Sequence, residues 1–251
     1  MGKTTTAINL GASLATQEKK ILLIDLDPQG NCTTGLGTER ANLRRSIYEV
    51  MTGAHALGEV LCRTDLPYLF VAPATKDLIG AEIELIGAEK REWRLKEALP
   101  SVRQEFDYIF LDCPPSLGLL TLNALTAADS LLVPLQCEYY ALEGLSSLLE
   151  TQKLVQRALN PELVLEGVVL TMFDSRNRLS HDVAQEIRSH FPDRVFRTVI
   201  HRNVRLSESP SHGKPALLYD FHSSGAQSYL ELARELIGKE EENRRAEKGV
   251  G

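Results

Sequence analysis

Short apolar runs alternate along this chain with stretches whose apolar residues recur three and four positions apart. Four runs read as buried parallel strands: Ile21-Leu22-Leu23-Ile24-Asp25, Tyr108-Ile109-Phe110-Leu111-Asp112, residues 131–135 and residues 167–171. Leu69-Phe70-Val71-Ala72 and residues 195–200 give weaker versions of the same signal. Helical spacing begins almost at once, with Ala7, Ile8, Leu10, Gly11, Leu14 and Ala15 on one face of residues 4–16. It returns over residues 91–106, 117–127, 141–159, 180–190 and 226–237. Strands alternating with helices predict an α/β fold: a doubly wound, mostly parallel sheet with helices on both faces. No internal repeat or linker interrupts residues 1–238, which read as one domain. Residues 239–251 are nearly all charged or small and read as a charged, flexible tail.

Composition narrows the function classes. Of 251 residues, 43% are hydrophobic and 25% charged, the balance of a folded globule rather than a disordered chain. A net charge of −6 excludes a molecule that is basic all over, but not a local basic patch. No apolar stretch is long enough for a transmembrane helix. No apolar run follows Met1-Gly2-Lys3 as a secretory signal would require. Cys32, Cys62, Cys113 and Cys137 form no CxxC pair, so they read as reduced thiols in a cytoplasmic protein.

Three motifs carry candidate chemistry. Gly2-Lys3-Thr4-Thr5 opens a helix, where unpaired amides favour anions. A lysine there reaches phosphate, and the next hydroxyl can bind Mg²⁺. Asp25-Leu26-Asp27-Pro28-Gln29-Gly30-Asn31 follows a buried strand, and strand alternation turns Asp25 and Asp27 to the same side. Two neighbouring carboxylates repel unless a cation or ordered water lies between them. Asp112 ends another apolar strand, as the Walker B aspartate does, holding Mg²⁺ through water. Each motif alone also fits a plain turn or strand end; together they place phosphate, metal and water ligands at one sheet edge.

At these residues the chain resembles the ParA family of deviant Walker ATPases, in particular its chromosomal Soj-like members. The resemblance runs almost end to end. It extends through Pro134-Leu135-Gln136-Cys137-Glu138-Tyr139-Tyr140-Ala141, Leu170-Thr171-Met172-Phe173-Asp174, Arg202-Asn203-Val204-Arg205-Leu206 and Ser211-His212-Gly213-Lys214-Pro215. It implies a P-loop fold with ATP and Mg²⁺ as ligands. Lys3 would be the P-loop lysine and a catalytic residue beside Asp27, which would position the attacking water. Thr4 and Asp112 would be the metal ligands, and Gly2, Thr5, Asp25 and Asn203 would complete the nucleotide site. Arg176, Arg202 and Arg205 would grip DNA. The resemblance further implies an ATP-dependent homodimer, binding to double-stranded DNA without sequence preference, a ParB-like partner that stimulates hydrolysis, and residence on the nucleoid. Whether such a protein serves segregation, replication control or sporulation timing stays open.

The chain departs from the family pattern at its start. The family loop reads Lys-Gly-Gly-Val-Gly-Lys-Thr-Thr, and Met1 stands at its Val. A GTG codon read as a start would give this Met, so a true start about a dozen residues upstream is expected, supplying a first strand, the glycine-rich loop and a lysine that crosses the dimer. Without them the resemblance implies a site strand missing beside the one ending at Asp112, low stability and little turnover. His201 replaces the usual Pro before Arg-Asn, and Ser209 replaces a common Ala.

Charge is segregated along the chain. Residues 172–214 carry eight basic residues against five acidic, a net +3, which leaves −9 for the rest. Phosphate contacts from such a segment predict salt-sensitive, sequence-independent binding. The same arginines also fit a solvated face paired with Asp182, Glu186 and Glu208. Other readings are a MinD-like ATPase acting at a membrane, a truncated and inactive fragment, and an iron–sulfur relative using Cys113 and Cys137. The membrane reading needs an amphipathic C-terminal helix, and after residue 238 only Ala246 and Val250 are apolar.

Overall fold

The computed structural model describes residues 2–248. Helix α1 (Lys3–Ala15) leads into β1 (Ile21–Asp25), followed by the short helices α2 (Asn31–Gly35) and α3 (Ile47–Met51). Next come β2 (Cys62–Arg63), β3 (Leu69–Ala72), α4 (Leu78–Glu84), α5 (Arg94–Ala98) and β4 (Tyr108–Asp112). The second half runs α6 (Leu119–Ala127), β5 (Ser130–Gln136), α7 (Ala141–Ala158), β6 (Val164–Phe173), α8 (Arg178–His190) and β7 (Val195–His201). Helices α9 (Val204–Glu208), α10 (Ala216–Tyr219) and α11 (Ser224–Lys248) close the chain.

Strand β1 shows why the sheet is covered on both faces. Ile21 and Leu23 point into one core with Leu10, Leu14, Tyr229 and Leu232 from α1 and α11. Leu22 and Ile24 point into a second core with Ile47, Met51, Leu78 and Leu95. A run apolar at every position is what a doubly covered parallel strand requires. A third core joins Val133, Val168 and Leu170 to Val183, Ala184 and Ile187 of α8.

The strands fall into two blocks, in the orders β2-β3-β1-β4 and β5-β6-β7. Every pairing is parallel except β2 with β3. Among the described residues no ladder joins β4 to β5. Their facing edges instead flank a cavity of about 930 Å³. The consequence shows in burial: β1 is buried throughout, whereas its neighbour β4 is only half-buried at residues 108–111, and in β5 only Val133 is buried. The sheet expected from the sequence is therefore present with its two blocks held apart along these edges.

Most elements lie where the apolar pattern puts them. Residues 91–106 do not form the expected single helix. They break into a 3₁₀ turn at Arg91–Trp93, α5, and further turns at Leu99–Ser101 and Arg103–Glu105. Pro100 lacks the amide an α-helix needs and crowds the preceding turn. The fold compensates through Asn123, which accepts from the Leu95 amide at 3.2 Å and donates to the Arg91 carbonyl at 2.9 Å. At the other end α11 continues through Lys248 rather than ending near residue 237. The first ten residues of the expected tail thus lie in this helix, and residues 249–251 fall outside the described residues.

Candidate nucleotide site

The N-terminus of α1 opens onto the C-terminal edge of the first block. Gly2 caps it in a left-handed conformation, φ 104°, which a Cβ would disfavour. No side chain caps this end and its first turn has no acidic residue, so the helix presents amides and partial positive charge outward. Thr4 and Thr5 are half-buried on this turn, and Lys3 is exposed at the mouth of the cavity.

The loop after β1 is built around Asp25, which is fully buried. One carboxylate oxygen accepts the Asp27 amide at 3.1 Å; the other accepts the Thr33 amide at 2.8 Å and its hydroxyl at 2.7 Å. Thr33 Oγ1 in turn accepts from the Ala74 amide at 2.9 Å, tying the loop to the end of β3. Asp25 thus spends its acceptors inside the loop, and its part in the site is to hold Asp27 in place. Burial pushes the Asp25 carboxyl up despite these hydrogen bonds. Asp27 is 8% exposed and accepts the Gln29 amide at 2.9 Å. Gly30 turns the loop at φ 59°, with the Arg40 guanidinium 2.8 Å from where a Cβ would stand.

Asp112 lies beside Asp25 in register on β4. It is 3% exposed, and neither carboxylate oxygen has a hydrogen-bond partner. Desolvation raises its pKa to about 7, with Asp25 and Asp27 adding to the rise while Thr4 and Lys3 work against it. A buried acid with two idle oxygens, facing a helix N-terminus, a hydroxyl and a lysine, is a fitting ligand for a hydrated Mg²⁺ on a polyphosphate.

The structure therefore brings Gly2, Lys3, Thr4, Asp25, Asp27 and Asp112 to one sheet edge. It adds Thr171, which sequence reading quoted only within a longer string. Its hydroxyl is buried without a partner at the end of β6, 3.6 Å from the position a Cβ on Gly2 would take. An apolar strand ending in Thr is too common to single it out. Thr33 was missed for the same reason, since its role appears only once the loop closes.

The remaining predicted residues lie on the second block. Asn203 caps α9, accepting the Arg205 amide at 2.9 Å and donating to Ser224 Oγ at 2.8 Å. Arg176 pairs with Asp174 at 3.1 Å, and Arg205 bridges Glu208 at 2.8 Å and Asp220 at 3.2 Å. The Arg202 amide binds the Phe173 carbonyl, and its side chain stays exposed at the end of β7. Arg176 and Arg205 are partnered surface groups, and none of the three arginines is part of the acidic cluster. Burial pushes the Cys113 and Cys137 thiols up to about 12 and about 11, so they are protonated. No cluster of three or more metal-ligating side chains occurs among the described residues.

Comparisons with known proteins place the chain in a family. Residues 1–165 match the family model described as an AAA domain. The chromosome partitioning protein ParA of Myxococcus xanthus is 57% identical over 240 residues, covering 96% of this chain and 85% of the relative. This chain belongs to the ParA/Soj family of ATPases. The sporulation initiation inhibitor protein Soj of Bacillus subtilis is 56% identical over 94% of this chain and 93% of its own length. Among solved structures, cobyrinic acid a,c-diamide synthase of Mycobacterium smegmatis, with an ATP analogue and magnesium bound, superposes with a TM-score of 0.81. It is 39% identical and covers 94% of this chain and 89% of that one. Among the described residues no helix is long and apolar enough to cross a membrane.

Proposed function

We propose that this ParA/Soj-family chain is a chromosome-partitioning ATPase that binds Mg·ATP at the α1 mouth and uses the nucleotide to control dimerisation and DNA binding. The observation that carries this reading is Asp112: a buried carboxylate with both oxygens idle, set against Lys3, Thr4 and Asp27. The α1 amides and the Lys3 ammonium neutralise phosphate charge. Thr4 and Asp112 would hold Mg²⁺, which when bound lowers the repulsion between phosphate oxygens. Asp27, held by the Asp25–Thr33 network, orients the attacking water.

The exposed arginines support non-specific DNA binding and location on the nucleoid. Arg176 pairs with Asp174, and the charges of Arg176 and Arg202 together hold the Asp174 carboxyl below its usual range. One protomer offers a small patch, so binding to DNA phosphates strengthens when an ATP-bound pair doubles it. A ParB-like partner that accelerates hydrolysis would then release the DNA. Near its end α11 carries Arg244–Glu240 and Arg245–Glu241 pairs, a charged surface that suits solvent better than a lipid interface.

Asp27→Ala tests the reading. The variant should bind ATP, fail to hydrolyse it and stay on DNA in the presence of ATP. Hydrolysis at the unsubstituted rate would overturn the assignment of Asp27.

A further inference from the structure

The turn that carries Asp27 is held from inside by Asp25 and Thr33, and its outer side bears a contact that nucleotide binding does not require. Gly30 closes this turn, its amide donating to the Asp27 carbonyl at 2.7 Å. Gly30 then opens α2, its carbonyl accepting the Thr34 amide at 3.1 Å. The Arg40 guanidinium lies against it: Cζ, Nε and Nη2 are each 2.8 Å from the point that a Cβ on Gly30 would occupy. A point that far from all three atoms cannot lie in their plane, so the guanidinium turns its face to Gly30. Only a residue without a side chain leaves room for this contact.

The chain between α2 and α3 aims Arg40 at this spot. Gly37 leaves α2 pressed against Gly213, whose carbonyl oxygen stands 2.9 Å from where a Cβ on Gly37 would be. A 3₁₀ turn follows at Arg40–Asn42, in which Asn42 donates to the Glu39 carboxylate at 2.7 Å. The acid next to Arg40 is thereby engaged by Asn42. Arg40 itself is half-buried, and its Nε is sealed from solvent without a hydrogen-bond partner. A buried donor left idle costs stability. Packing on the turn, rather than a hydrogen bond at that nitrogen, is what sets the plane of the group.

We infer that Arg40 is a positioning residue for ATP hydrolysis: its guanidinium plane clamps the Gly30 turn from outside and fixes Asp27 between that clamp and the Asp25–Thr33 network. The inference rests on the reading of Asp27 as the residue that orients water. Arg40 acts through the turn, so its loss loosens Asp27 and leaves in place Lys3, Thr4 and the α1 amides that hold phosphate. Small displacements there matter, because a shift of about 1 Å can slow an aligned reaction about a hundredfold. The plane counts for more than the charge, since an ammonium offers no flat face to a backbone turn.

Steady-state hydrolysis and equilibrium binding of Mg·ATP are measured on the purified 251-residue chain and on Arg40→Ala, Arg40→Lys and Asp27→Ala. The inference predicts that Arg40→Ala lowers kcat at least about fivefold while ATP affinity stays within about twofold. Arg40→Lys keeps the charge, loses the plane and should be comparably slow. Unchanged turnover in Arg40→Ala would overturn the inference, as would equal losses of turnover and affinity, or full turnover in Arg40→Lys. A slow Asp27→Ala beside an unimpaired Arg40→Ala removes the role of Arg40 and leaves that of Asp27 standing. Hydrolysis at the unsubstituted rate in Asp27→Ala removes both. Gly30→Ala locates the effect, because its Cβ would displace the guanidinium. It should cost at least about threefold more turnover in the unsubstituted chain than in Arg40→Ala. An equal cost in both backgrounds would overturn the contact as the cause. Should Gly30→Ala not fold, the Arg40 series still decides.

Discussion

Asp25 and Asp112 stand side by side in register on adjacent parallel strands, yet only Asp25 is hydrogen-bonded. The difference divides their work. Asp25 closes a loop, and Asp112 keeps both oxygens available.

This arrangement has a pH signature in the ligand-free protein. The Asp112 pKa rises from 3.8 to about 7 on folding. The folded state then keeps a proton that the unfolded chain releases, so stability falls as pH rises from about 4 to about 7 and is flat above. Three units at about 1.4 kcal/mol each set an upper bound of about 4 kcal/mol for this loss. Asp112→Asn should shrink the decline to the part that the raised Asp25 carboxyl contributes, and stabilise the free protein above pH 7, while abolishing Mg²⁺-dependent ATP turnover. Chemical denaturation at pH 5 and pH 8 measures it; an unchanged pH slope in Asp112→Asn contradicts the account.

Thr33 is predicted to act through Asp27. Its hydroxyl donates to Asp25 and accepts from Ala74, and it is fully buried. Thr33→Val keeps the shape and loses both bonds, at a cost of about 2 kcal/mol. Turnover should fall more than ATP affinity, because the loop that positions water loosens while α1 does not. Thr33→Ser should restore turnover. Equal losses in kcat and ATP binding would instead mean that the whole site is disturbed.

The surface arginines make a separate prediction. Arg176→Glu and Arg205→Glu should each weaken DNA binding and flatten its salt dependence, leaving nucleotide affinity unchanged. Arg205 also joins α9 to Asp220. Arg205→Lys therefore serves as a check: it should keep most DNA binding if charge is what matters. Filter binding across a salt series reads the slope, and loss of ATP affinity in Arg176→Glu would make that residue structural.

How far the sequence alone reaches can be judged residue by residue. Ile21–Asp25 and Tyr108–Asp112 are legible to the residue, because a parallel strand with apolar side chains toward both faces of the sheet leaves an unbroken apolar run ending in a carboxylate. That Lys3, Thr4, Asp27 and Asp112 share one sheet edge is legible only from the three motifs taken together, since each alone also fits a plain turn or strand end. The broken segment around Pro100 is not, since its apolar spacing is helical and only the proline argues otherwise. Thr33 escapes because its hydroxyl acts on Asp25, eight positions away, and Thr171 because its unpartnered hydroxyl meets Gly2 only once the chain has folded. Composition marks residues 239–248 as solvated and does not report that α11 carries them. Pairing of Arg205 with Glu208 is among the readings the sequence allows, whereas the Arg176–Asp174 and Arg205–Asp220 pairs appear only in the fold.

The central claim is that polyphosphate is held where the α1 N-terminus meets Asp112. Equilibrium binding of Mg·ATP to the unsubstituted chain, Lys3→Ala and Asp112→Asn tests it most directly. The account predicts that Lys3→Ala lowers affinity at least about tenfold and that Asp112→Asn removes the Mg²⁺ dependence of binding. Equal Mg·ATP affinity in all three proteins would contradict it.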